Sequence, residues 1–176
     1  MPELSIRIKK KSDGSAALSC TRADGTTTWQ RQEGQLGRFF PLHDLTHFAV
    51  ETVLGLRHAF YGLLADGWDL SVFAEPGIAR RIPPDAGLAE VLVGFFDTER
   101  ATGTRASAED FNWKIRTYYD EHATPMPTFR MTDDQLDRIR ALRAELFARW
   151  QAVQPGDALV LSFDRPPATA EHHASR

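Results

Sequence analysis

The sequence predicts an α+β fold in which a small antiparallel sheet packs against about four helices. Three short segments near the N-terminus have the alternating or β-branched pattern of strands, and one more strand pattern occurs near the C-terminus. Longer segments between them place apolar residues at helical spacing. A run of strands followed by a run of helices is typical of α+β proteins, whereas regular alternation is typical of parallel α/β folds.

The strands of the predicted sheet cover residues 3–11, 15–22, 26–32 and 158–163. In the first of them Leu4, Ile6 and Ile8 alternate with polar residues, which is the period of a half-buried strand. Turn sequences with an Asp-Gly pair separate the first three strands and favour an antiparallel meander. The last strand is expected to return to this N-terminal sheet.

The predicted helices cover about 41–65, 86–101, 108–122 and 133–153, and residues 66–85 are expected to form a loop with a short extended piece at 71–73. Pro41 suits the first turn of a helix, where its missing N–H costs nothing. Thr132 with Gln135 has the spacing of a capping box, which marks the start of the last helix.

The composition is that of one ordinary globular domain. We expect a single domain over residues 1–165 and a disordered tail over 166–176.

A net charge of −3 argues against binding to nucleic acid or to an anionic membrane. The absence of a signal peptide or a long apolar run, together with one cysteine, predicts a cytoplasmic protein. The excess of arginine over lysine suggests a bacterial gene.

The first predicted helix carries the one chemically suggestive pattern. His43, Asp44, His47, Glu51 and His58 fall on a narrow polar stripe of a helix that is otherwise apolar round much of its circumference. Because residues four apart lie one above the other on a helix, His43 and His47 can present their imidazoles to one cation. Buried ionisable groups need partners, a metal or a hydrated cleft, so the stripe is informative.

The stripe predicts metal ligands and a neighbouring base. His43, Asp44 and His47 are the candidate ligands, and two imidazoles suit zinc, iron or nickel better than magnesium. Glu51 lies ~12 Å along the axis from His43, so we expect it to hydrogen-bond His47 or to act as a general base on bound water. Further ligands would come from elsewhere, the candidates being Asp66, Asp69, Glu75, Asp120, Glu121 and His122.

Two functions remain open at this level. The first is a metal-binding protein that acts as a hydrolase or lyase on a small molecule. The second is a non-catalytic binding or interaction protein in which the stripe is a structural polar network. No glycine-rich phosphate-binding motif is present, so no nucleotide cofactor is indicated. Oligomeric state is not encoded in these patterns.

The segment 41–51, PLHDLTHFAVE, followed by LGLRHAFYGLLADG, resembles a family of uncharacterised bacterial proteins that carry an HDLxHFxVE-type signature. That resemblance implies no established activity. His43, Asp44 and His47 are also similar to the His-Asp-x-x-His zinc motif of scaffold proteins in ubiquinone biosynthesis, which implies metal binding by these three residues. The glutamate of that motif would fall at Ala59, and those proteins are largely helical, so the pathway is not implied.

Overall fold

A four-stranded antiparallel sheet forms one layer of the protein. The computed structural model describes residues 2–165, in which the strands are β1 (Leu4–Lys10), β2 (Ala16–Arg22), β3 (Thr27–Gln32) and β4 (Ala158–Phe163). Their order across the sheet is β3-β2-β1-β4. The C-terminal strand pairs with β1, so the prediction of an α+β fold with a sheet of three N-terminal strands and one C-terminal strand is confirmed.

Only one face of the sheet is buried against helices. Ile6 on β1 pairs with Cys20 on β2 and with Leu161 on β4, and all three side chains are buried. The next residue, Arg7, pairs with Ser19 and Val160 on the opposite, more exposed face. The period-two pattern of the sequence therefore corresponds directly to the side of the sheet that faces the core.

Residues 2–165 form five α-helices, of which the first two pack directly on the sheet: α1 (Leu36–Leu54), α2 (Phe60–Ala65), α3 (Pro84–Thr102), α4 (Ala108–Glu121) and α5 (Asp133–Ala152). Helix α1 packs on β2 and β3 with one side and against α3 and α5 with others. The predicted capping box of Thr132 and Gln135 is present at the start of α5. Among residues 2–165, no helix has the length and apolar character that would let it cross a membrane.

The prediction of one helix over 41–65 is wrong in its start and in its continuity, whereas its end at residue 65 coincides with the end of α2. The helix begins at Leu36, so Pro41 lies inside α1 and not in its first turn. It ends at Leu54 because Gly55 adopts a left-handed conformation (φ 69°), which is a common helix C-cap. The chain resumes as α2 only at Phe60.

Two further differences concern less regular segments. Residues 71–73, predicted to be extended, lie in a 3-10 helix over Leu70–Ala74, and a second 3-10 helix covers Ile78–Arg80. These short helices carry the chain from α2 to α3. The predicted disordered tail, 166–176, lies outside the described residues.

Candidate metal centre

Helix α1 brings two histidines together one turn apart. The ring centroids of His43 and His47 lie 4.8 Å from each other, with the rings nearly perpendicular. Phe39 stacks on the imidazole of His43, and Phe60 from α2 contacts that of His47. These aromatic side chains restrict both imidazoles to one orientation, which the i, i+4 spacing alone does not do.

Each imidazole is held at Nδ1 by a carboxylate. Nδ1 of His43 donates to Oδ2 of Asp97, on α3, at 2.7 Å. Nδ1 of His47 lies 3.2 Å from Oε1 of Glu51, so the predicted hydrogen bond between these two residues is present. A histidine that donates from Nδ1 to a carboxylate offers Nε2 as a ligand, and this is the arrangement found around metal-binding histidines.

A carboxylate from α3 completes the cluster. Oε1 of Glu90 lies 3.6 Å from Nε2 of His47. One ligand atom from each of His43, His47 and Glu90 falls within 4.8 Å of the others. The side chain of Glu90 is 47% exposed, whereas that of His47 is only 2% exposed. The cluster thus has a buried side on α1 and a solvent-facing side at Glu90.

The electrostatics of the cluster favour a positive charge at His47. Burial opposes the charged form, but the negative charges of Glu90 and Glu51 prevail and raise the pKa of His47 to about 9. Burial also raises the pKa of Glu51, although the hydrogen bond from His47 acts to lower it. Because the raised pKa of His47 favours a protonated imidazole at neutral pH, a metal ion at Nε2 would have to displace that proton.

Glu51 is fully buried and both of its carboxylate oxygens are engaged. Oε1 faces His47, and Oε2 accepts the backbone N–H of Tyr61 at 2.9 Å. A carboxylate in this position orients His47 and ties α1 to α2. Each of its oxygens therefore already has a protein hydrogen-bond partner.

Asp44 does not contribute to the three converging ligand atoms. Its Oδ2 accepts a hydrogen bond from Nε2 of Gln32 on β3 at 2.8 Å. Burial raises the pKa of Asp44 to about 6. Asp44 therefore joins α1 to the sheet, and it is not a member of the cluster formed by His43, His47 and Glu90.

The other predicted candidates lie elsewhere. His58 follows the break after α1, is 53% exposed, and lies 3.5 Å from the carboxylate of Asp66. The acids of the 66–75 segment pair with arginines, namely Asp66 with Arg165, Asp69 with Arg22 and Glu75 with Arg81. Nδ1 of His122, at the end of α4, bonds the carbonyl of Tyr118. No cluster of this kind within 2–165 includes any of them.

Sequence reasoning missed Glu90 and Asp97. Locally each resembles an acid on a solvated helix face, and nothing near them in sequence identifies His43 or His47 as a partner. One feature of the sequence could have indicated that these two acids act together, because residues seven apart lie on the same face of a helix. Glu90 and Asp97 have that spacing on a helix whose other face is apolar.

Comparisons with known proteins add no relative. No protein-family model matches the chain, and neither curated proteins nor solved structures include a significant match. What the cluster does is therefore argued from its own geometry.

Proposed function

We propose that this protein binds a divalent metal ion through Nε2 of His43, Nε2 of His47 and the carboxylate of Glu90. The observation that carries the proposal is the pairing of both Nδ1 atoms with carboxylates, while a third acid faces the free sides of the rings. Hydrogen bonds to Nδ1 fix the ring orientation and raise the basicity of Nε2.

The spacing of the three ligand atoms suits a metal after a small adjustment. Ligands at ~2.0–2.1 Å from a tetrahedral zinc ion are ~3.3 Å apart, somewhat closer than the 4.8 Å limit that encloses this cluster. Glu90 is the half-exposed member, so its flexible side chain supplies the movement while the packed imidazoles stay in place.

Two imidazoles and one carboxylate indicate the class of metal and of reaction. This ligand set suits zinc, iron or nickel. Three protein ligands leave a coordination position for water or substrate, which distinguishes catalytic from structural sites. Such an ion activates water or polarises a carbonyl, so the proposed activity is that of a metal-dependent hydrolase or lyase acting on a small molecule.

The neighbouring carboxylates then have positioning roles. Asp97 and Glu51 hold the two imidazoles, and Asp44 anchors their helix to β3 through Gln32. We propose Glu51 as the group that positions His47, in preference to the general base, because both of its oxygens are engaged.

The test is metal content by plasma mass spectrometry. The tag-free protein would carry His172→Ala and His173→Ala, since those tail histidines can bind metal unspecifically. It is compared with the same protein carrying His43→Ala and His47→Ala. Near-stoichiometric metal that disappears in the folded variant supports the proposal. A protein that takes up no zinc, iron or nickel after reconstitution contradicts it.

One observation favours the second function, a non-catalytic protein with a structural polar network. The proton that Glu90 and Glu51 hold on His47 already compensates the buried charges without any metal. In that case His43→Ala/His47→Ala lowers the free energy of unfolding by the same amount with and without added metal. A metal-dependent difference between the two proteins separates the alternatives.

A further inference from the structure

A groove between α3 and α5 lies outside the metal centre. Its volume is about 520 Å³, which is within the range of small-molecule sites. Four arginines line it, together with two acids and the ring of Phe147, the arginines being Arg100, Arg105, Arg140 and Arg143. Neither ligand histidine lines this groove.

Arg143 is the unusual member of this group. Its residue is only 8% exposed, and among the described residues no carboxylate pairs with its guanidinium. Nε donates to Oγ1 of Thr46 and one Nη atom donates to the carbonyl of Phe96, both at 3.2 Å. The other Nη forms no hydrogen bond within residues 2–165, and Arg143 lines the groove.

The surroundings of Arg143 compensate its charge only in part. The guanidinium lies 4.8 Å from the ring centroid of Phe96 and 5.1 Å from that of Phe147. Burial lowers the pKa of Arg143 even though the charges of Asp97 and Glu99 act to raise it, which reflects the cost of holding the charge away from water. Buried arginines are normally paired with an anion, so this one lacks its usual partner.

The other arginines differ in how far they are already engaged. Arg140 pairs with Glu99, and Arg100 pairs with Asp97 at 3.3 Å. Arg105 lines the groove, is exposed, and forms no ion pair among residues 2–165. The groove therefore offers two guanidinium groups that form no ion pair among residues 2–165, one buried at Arg143 and one exposed at Arg105.

We propose that this groove binds the oxyanion group, carboxylate or phosphate, of a small organic molecule, with Arg143 and Arg105 as its principal donors. A guanidinium presents two parallel N–H groups that match the oxygens of either anion. The ring of Phe147 and the alanines of α5 supply an apolar wall for the remainder of the molecule. Nothing in this site depends on a bound metal.

The test is isothermal titration calorimetry on the full chain after removal of metal with EDTA. Inorganic phosphate and succinate are titrated separately at constant ionic strength. The informative variant is Arg105→Ala, because an exposed and unpaired side chain is removed without disturbing the fold. Arg116→Ala, an exposed arginine on α4 that does not line the groove, is the matched control. Arg143→Lys keeps the buried charge but removes the planar guanidinium with its two parallel N–H groups.

We expect Arg105→Ala and a folded Arg143→Lys each to weaken binding by roughly tenfold or more, while Arg116→Ala leaves it unchanged. His43→Ala/His47→Ala should also leave it unchanged, so this result does not depend on the metal proposal. A preference for phosphate or for succinate identifies the kind of anion. Absence of binding by both, or equal binding by the two alanine variants at Arg105 and Arg116, overturns the proposal.

Discussion

At the scale of single residues, carboxylates determine which ring nitrogens of the two histidines of α1 are free to bind another group. An i, i+4 pair of histidines on a helix is compatible with a metal site, with an ion pair or with plain packing. Here Asp97 and Glu51 occupy both Nδ1 atoms, so only the Nε2 atoms remain to bind something else. Glu90 lies 3.6 Å from Nε2 of His47, and this is the contact on which the proposed metal site depends.

The first prediction separates a ligand from a positioning residue. Glu90→Gln should lower zinc affinity more than Asp97→Asn, because the first removes a charged ligand and the second only a partner of His43. Loss of such a partner reduces affinity by roughly 10–100-fold. Competition with a chromogenic chelator measures both. Glu121→Gln, at an exposed position on α4, is the control, and equal affinity in all three variants would contradict the assigned roles.

The second prediction concerns Cys20, the single thiol of the chain. Burial raises its pKa to about 12, with the charge of Asp44 acting in the same direction. The thiol therefore stays protonated below that pH and should not react with a thiol reagent in the native protein at pH 8. Full reaction is expected in guanidinium chloride. Rapid labelling of the native state would show that β2 opens far more readily than its burial implies.

At the scale of elements, the strands and the last two helices were easier to predict than the bounds of α1. An alternating pattern such as that of Leu4, Ile6 and Ile8 shows which side chains are buried, and every predicted strand bound lies within one residue of the observed bound. Gly55 ends α1 through its backbone conformation, which a pattern of apolar residues does not reveal. Glu90 meets His47 only through the packing of α3 on α1, and that contact has no local signature.

The third prediction contrasts two glycines in helices. A Cβ at Gly94 on α3 meets no atom within 4 Å, whereas one at Gly62 on α2 overlaps the carbonyl of Arg57. Gly94→Ala should raise the free energy of unfolding by about 0.4–1 kcal/mol, because alanine restricts the unfolded chain. Gly62→Ala should lower it by more than about 1 kcal/mol through the clash. Urea denaturation checks both predictions. A higher free energy of unfolding in both variants would contradict the close packing of residues 55–59 against α2.

At the scale of the whole molecule, α1 and α3 carry most of the polar chemistry. His43 and His47 come from α1, and Glu90 and Asp97 come from α3. Asp97 faces the metal centre with one oxygen and Arg100 of the arginine-lined groove with the other. The interface of these two helices therefore adjoins both proposed sites, and its geometry determines whether the ligands converge.

The last prediction follows from ligands that belong to two different helices. A metal that joins α1 to α3 binds the folded chain and not the separated segments, so it must stabilise the fold. At a free zinc concentration 100 times the dissociation constant, the free energy of unfolding rises by about 2.7 kcal/mol. Differential scanning calorimetry should show a rise in Tm with zinc that EDTA reverses.

The control for that experiment is the His43→Ala/His47→Ala variant, with the tail histidines replaced in both proteins. Its Tm should not respond to zinc, since only Glu90 of the three ligands remains. An equal rise in the variant would place the metal on other residues. An unchanged Tm in both proteins would contradict metal binding at this cluster and would support the structural alternative.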